Sequence, residues 1–219
     1  MSNQDHTETG ADRAGRGRLI IIAAPSGGGK TSLVSALMAA DGNLALSISH
    51  TTRSPRSRET DGVQYHFTSE KNFMDMVNEG AFLEHAVVFG NHYGTHAGAL
   101  AMQLEEGKDV ILEIDWQGAA QVRQIFPDSC SIFILPPSLE TLRLRLSRRG
   151  QDSEEVIEGR MRDAQAEISH WAEFDYLVIN EDFDTALKDI QAVIRAARLE
   201  REHQQDQHAQ LLAELLVSR

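Results

Sequence analysis

Leu19-Ile20-Ile21-Ile22-Ala23-Ala24-Pro25-Ser26-Gly27-Gly28-Gly29-Lys30-Thr31 runs from an apolar stretch into a glycine-rich turn closed by Gly-Lys-Thr. The apolar stretch is long enough to form a buried strand, and Leu33, Val34, Leu37 and Met38 then recur at helical spacing. Strand, glycine loop and helix in that order make the setting of a phosphate-cradling P-loop. Successive backbone N–H groups point into an anion hole, the helix N-terminus adds partial positive charge, and residues 24–32, Ser32 included, make the expected ATP site. Lys30 would reach the outer phosphates, and the Thr31 hydroxyl would sit on a magnesium ion. The first glycine of the usual pattern is Ala24 in this chain. Alanine serves there if it keeps φ below zero, since only positive φ demands glycine. The alternative, a glycine turn that merely starts a helix, leaves Lys30 and Thr31 unexplained. The stretch points to a nucleoside triphosphate.

The 219 residues leave room for one α/β domain with insertions. No apolar run approaches the ~20 residues of a membrane span, and the N-terminus shows no apolar signal region. Residues 1–17 are polar with Gly10, Gly15 and Gly17, and read as a disordered tail. Cys130 stands alone within an apolar stretch, so a buried inert thiol and a reducing, cytoplasmic setting are expected. A formal net charge of −12 argues against a general nucleic-acid or membrane surface. Even so, 17 of the 21 basic residues are arginine, and many cluster, at 53, 56 and 58, at 143, 145, 148 and 149, and at 160 and 162. The rigid guanidinium fork matches phosphate geometry better than a lysine point charge.

Along the rest of the chain, strand and helix patterns alternate. Strands are expected at 44–49, 109–115, 129–135 and 176–180. Helices are expected at 95–106, at 118–126, along the Leu139/Leu142/Leu146 stripe, after Asp152, and from 184 to 217. The helix after Asp152 would bury Val156, Ile157, Met161 and Ile168 on one side. Such alternation after a P-loop argues a mostly parallel sheet flanked by helices. Residues 49–98 break the alternation, with an extended 63–68, a helix at 70–79, and a β region at 82–93 that turns at Gly90-Asn91. They read as an insertion that could hold a second substrate.

Within it, Ser49-His50-Thr51-Thr52-Arg53-Ser54-Pro55-Arg56 is dense in hydroxyls and arginines, and Tyr65 and Tyr93 are phenol donors nearby. Two Arg and two Tyr converging would hold a monophosphate dianion. Glu84 lies in the apolar Phe82-Leu83-Glu84-His85-Ala86, where an ionised carboxylate needs donors. Guanine offers two on one edge, N1–H and N2–H, whereas adenine offers a bare N1 there. A surface position on a two-faced strand is the competing reading.

Ala24 through Thr31, Ser49 through Arg56, Phe82-Leu83-Glu84-His85-Ala86, Gly90-Asn91-His92-Tyr93-Gly94-Thr95, Ile114-Asp115-Trp116-Gln117-Gly118, Arg149-Gly150 and Val178-Ile179-Asn180 together resemble the guanylate kinase family. The resemblance runs in order from about residue 18 to residue 198 and is nearest to the bacterial members. It implies ATP and GMP, with dGMP beside it, as substrates, and Mg-ATP as the phosphoryl donor. The implied fold is a P-loop NTPase core of parallel sheet and helices (18–48, 99–137 and 171–219), a small mixed α/β GMP-binding region (49–98) and a helical lid (138–170). Position by position, it assigns the GMP phosphate to Arg53, Arg56, Tyr65 and Tyr93, and guanine to Ser49, Glu84, Thr95 and Glu113. The family commonly has Asp where this chain has Glu113, and often Ser where it has Thr95. Asp115, two residues on and on the opposite face of a regular strand, is implied for the magnesium–water shell together with Thr31. Arg145, Arg149 and Arg160 are implied as lid arginines acting with Lys30, and Asn180 as a neighbour of adenine.

Three further points stand beside this. His92 and His96 have helical metal-ligand spacing, but Gly94 lies between them and no third ligand is evident. Leu211, Leu212, Leu215 and Leu216 suit either a contact between copies or a helix packed on its own core. A sugar-phosphate kinase would share the P-loop and lid without needing Ser49, Glu84 and Thr95 together, and a binding scaffold would not need Lys30 and the arginines.

Overall fold

The computed structural model describes residues 15–147 and 154–217. Five parallel strands, β1 (Leu19–Ala23), β2 (Leu44–Ser47), β7 (Asp109–Glu113), β8 (Cys130–Leu135) and β9 (Tyr176–Ile179), form the central sheet in the order β2-β7-β1-β8-β9. β1 is the middle strand, and both of its faces are covered. Ile20 and Ile22 pack with Leu33, Val34 and Leu37 of α1 (Lys30–Ala40) and with Ile190 and Ile194 of α7 (Phe183–Arg198). Leu19 and Ile21 pack on the other side with Leu100 and Leu104 of α3 (Ala97–Glu105) and with Ala119 and Val122 of α4 (Trp116–Ile125). A strand buried on both faces needs no polar alternation, which is why this one reads as an unbroken apolar run.

The stretch between β2 and α3 builds a second sheet, with strand order β4-β3-β6-β5. It holds β3 (His50–Thr51), β4 (His66–Phe67), β5 (Phe82–Val88) and β6 (Asn91–His96), with α2 (Glu70–Asn78) packed through Phe73 on Phe82. The hairpin turns at Phe89-Gly90, one residue earlier than expected, and both residues have positive φ (49° and 76°). Such a two-residue turn matches strand twist, and Phe89 occupies a conformation that side chains rarely adopt. Thr95 falls in β6, not in a helix as expected, because pairing with Glu84 carries the strand through to His96. His92 and His96 therefore sit on a strand, where the helical metal-ligand spacing does not apply. The extended segment expected over 63–68 shrinks to β4, preceded by a turn at Gly62.

α5 (Leu139–Ser147) and α6 (Glu154–Ile168) form a small apolar unit through Leu142, Leu146, Ile157, Met161 and Ala164. Val156 departs from the expected stripe and is exposed. The expected helix from 184 to 217 is broken into α7, α8 (Arg201–Gln207) and α9 (Ala209–Leu216). α9 buries none of its residues, and Leu215 and Leu216 are 71% and 81% exposed, so packing on the chain's own core is not what these leucines do. Cys130 is buried in β8, and burial pushes its thiol up to about 12, an inert state. Among the described residues no helix is long and apolar enough to cross a membrane. The tail at 1–14, Asp152 and Arg149 lie outside the described residues.

Candidate active site

The carboxyl ends of the parallel strands open on one cavity of about 620 Å³. Ligands of open α/β sheets settle at this edge because helix N-termini and loops converge there. After β1 the chain turns through Gly27 (φ 85°) and Gly29 (φ 96°) before α1 begins at Lys30. A Cβ at Gly29 would lie 2.3 Å from the Asn180 amide nitrogen, so space as well as backbone requires glycine. Ala24 keeps negative φ, which meets the condition under which alanine can replace the first glycine. Pro25 C=O accepts the Gly28 N–H at 2.8 Å, and Gly28 C=O accepts the Asn180 side-chain amide at 2.8 Å. Arg145 donates to Asn180 C=O at 2.9 Å. The carbonyls of the turn are thus tied to the core, and Asn180 spends its donor on the loop.

Lys30 donates to Ile114 C=O at 3.0 Å, and the Thr31 hydroxyl donates to the Glu113 carboxylate at 2.5 Å. Asp115 does not extend β7 to an opposite face, as expected from a regular strand. The strand ends at Glu113, and Asp115 caps α4 by accepting the Gly118 N–H at 2.9 Å. Both acids line the same cavity.

From the second sheet and the segments flanking its strands, Ser49, Arg56, Tyr65, Glu84 and Tyr93 line the cavity. Glu84 is 3% exposed, which removes the reading of a surface residue. One oxygen accepts the Thr95 hydroxyl at 2.6 Å. Burial pushes the Glu84 carboxyl up to about 7, against the Thr95 hydrogen bonds and Lys30, while Asp115 raises it further. Burial, with Glu113 next, raises the Tyr65 phenol to about 12, so it remains a donor.

Arg53, Thr95, Gly28 and Arg160 are not on the cavity wall. Thr95 is fully buried behind Glu84. Arg53 forks onto Glu59 at 2.9 and 3.0 Å, lies 5.4 Å from the Tyr65 ring centroid and also bonds the Tyr93 phenol. The fork leaves Arg53 as a brace under two cavity tyrosines, and the paired guanidinium holds the Glu59 carboxyl below the usual carboxylate range.

Sequence reasoning missed Glu59 and Glu167, and it gave Gly118 no role beyond its place in the Ile114 to Gly118 motif. Glu167, on α6, accepts the Ser26 N–H at 2.8 Å and lines the cavity. Burial raises its pKa, opposed by the Ser26 N–H and Lys30, with Asp115 and Asp163 raising it further. The α6 end is held near α4 by His170, whose ring stacks on Trp116 at 3.5 Å. No local pattern marks a glutamate that meets the loop only through the tertiary packing of α6, 141 residues further along the chain.

Fold and cavity define a P-loop nucleotide-binding protein with a second sheet region lining the same cavity. The family model for guanylate kinase matches residues 16–197. A guanylate kinase of Pseudomonas fluorescens is 56% identical over 200 residues, covering 91% of this chain and 97% of that protein. One of Alkalilimnicola ehrlichii is also 56% identical, over 91% and 98%. The crystal structure of guanylate kinase from Anaplasma phagocytophilum superposes with a TM-score of 0.73 at 32% identity, over 86% of this chain and 90% of that one. The chain belongs to the guanylate kinase family.

Proposed function

We propose that this protein transfers the γ-phosphoryl group of ATP to GMP, with ADP and GDP as products. The observation that carries the reading is a buried carboxylate, Glu84, in the same cavity as the P-loop. An ionised Glu84 takes the guanine N1–H and N2–H, the Ser49 hydroxyl lies on the same wall, and the Thr95 hydroxyl holds Glu84 from behind. Glu113, held by Thr31, links it to the phosphate loop. Arg56, Tyr65 and Tyr93 receive the GMP phosphate, with Arg53 bracing the tyrosines. Adenine would leave Glu84 facing an acceptor, and unpaired buried groups discriminate strongly.

A GMP phosphate oxygen attacks the γ-phosphorus in line. A new P–O bond forms as the bond to the β-phosphate oxygen breaks, and ADP carries away the negative charge. The nucleophile is already an oxyanion, so no strong base is needed. Catalysis is positioning and electrostatics: loop N–H groups and Lys30 on the donor phosphates, and Arg145, Arg149 and Arg160 from the lid. Among the described residues no cluster of three or more His, Cys, Asp or Glu could hold a metal. Magnesium carried by the nucleotide needs only one or two protein oxygens, and the Thr31 hydroxyl and Asp115 carboxylate on the wall fit that need. When bound there it would neutralise charge on the β- and γ-oxygens.

The reading divides the chain into a core (18–48, 99–137, 171–219), a GMP region (49–98) and a lid (138–170), at work in the cytoplasm without nucleic acid or membrane. The exposed leucines of α9 support self-association. Incubation with γ-labelled ATP and GMP tests the function: labelled GDP and an equal amount of unlabelled ADP are expected, and label appearing only as inorganic phosphate would overturn it.

A further inference from the structure

Gly118 lies in the first turn of α4 and is buried. Glycine weakens a helix relative to alanine, and Gly118 has no positive φ that would demand it. Its own N–H is already held by Asp115. What excludes a side chain is a single group. A Cβ at Gly118 would lie 2.5 Å from Glu84 Oε2 and 3.1 Å from the Glu84 carboxyl carbon, whereas its next contact, Ile114 Cβ, is an ordinary 3.4 Å away. The other oxygen, Oε1, is held by the Thr95 hydroxyl at 2.6 Å. The carboxylate is therefore set from two sides, by a hydroxyl that binds one oxygen and by a bare Cα that leaves room for the other.

We propose that Gly118 is a positioning residue for acceptor-base specificity: its missing side chain is the space in which the base-reading carboxylate sits. This rests on the reading of Glu84 as the guanine reader. The obstructing atom is the far end of a flexible side chain, so a methyl group moves the carboxylate rather than the fold. A displacement of about 1 Å matters in a site whose groups must be held within about 0.5 Å.

The test is Gly118→Ala, assayed with GMP and AMP as acceptors at varied ATP. The kcat/KM for GMP is expected to fall by about tenfold or more, the worth of one charge-assisted hydrogen bond, with AMP turnover and the KM for ATP little changed. Gly42→Ala, at a position open to solvent, is the control and should match wild type. In a Glu84→Gln background the added methyl should cost GMP turnover much less than it does in wild type. Two sites acting through one contact are not additive, and a merely structural role would give additive losses. If Gly118→Ala does not fold, it is combined with Glu84→Asp, which withdraws the carboxylate. Folding restored there locates the clash at Glu84, and no restoration overturns the proposal. Wild-type preference for GMP with Gly118→Ala unchanged refutes this inference alone, while a wild type that ignores GMP refutes the function beneath it.

Discussion

The Glu167 carboxylate of α6 accepts the Ser26 N–H of the glycine loop at 2.8 Å. An anion from the protein itself thus holds a donor of a loop whose purpose is to hold anions. Lys30 lies near enough to lower the Glu167 pKa, although burial raises it overall. Incoming ATP meets this carboxylate as a like charge. Glu167→Gln keeps an acceptor for Ser26 and removes the charge, so the KM for ATP is expected to fall severalfold while the KM for GMP stays. In the wild type, ATP affinity is expected to weaken as pH rises and Glu167 ionises, and the variant should flatten that dependence. Steady-state kinetics across pH check both, and a raised or unchanged KM for ATP would remove Glu167 as a competitor.

Glu84 gives the acceptor side its own pH signature. Its free carboxyl is pushed up to about 7 by burial, and in the proposed role it takes the guanine donors only when ionised. GMP affinity is therefore full above that pH and lost as pH falls through it, so the KM for GMP should rise on the acid side. Glu84→Gln should abolish the inflection and lower kcat/KM for GMP by about tenfold or more, with the KM for ATP much less affected. An inflection that survives in the variant would assign it to another group, and unchanged GMP-over-AMP selectivity would show that Glu84 does not read the base.

Lys30 is bonded to Ile114 C=O at 3.0 Å at the cavity wall. Lys30→Ala should lower kcat by about a hundredfold to a thousandfold, the range for losing a charge-stabilising donor at a transition state. Circular dichroism would show an intact fold. Turnover within a few-fold of wild type would mean that the outer phosphates lie elsewhere.

Closure over the bound substrates is also expected. α5 and α6 share their own small core, and Trp116 stacks on His170 just beyond α6. Closing the lid and the second sheet over both substrates would exclude water and protect ATP from hydrolysis. Small-angle scattering should show a smaller radius of gyration with a bisubstrate analogue. An unchanged radius would contradict closure.

Much of this was legible from residue order. The apolar run into Gly29-Lys30-Thr31 fixes the central strand, the loop and the first helix, because each of those signals is local. Glu84 was legible as a carboxylate in an apolar context, but not as buried until the second sheet paired it with Thr95. What stayed hidden depends on contacts between distant segments. Arg53 carries no mark that Glu59 occupies its fork, and Gly118 none that Glu84 lies against it. The Phe89 turn was misplaced because an aromatic residue at positive φ contradicts local preference. The break between α7 and α8 at Leu199-Glu200 lies within a sequence of good helix formers, and propensity alone does not end a helix there.

The most direct test of the central claim is ADP release from Mg-ATP with GMP, dGMP, AMP, CMP, UMP and ribose 1,5-bisphosphate offered separately. Fast turnover with GMP, with or without dGMP, and little with the other acceptors is the expected result. Comparable turnover with AMP, or a preference for the sugar phosphate, would contradict the assignment of Glu84 and its neighbours to guanine.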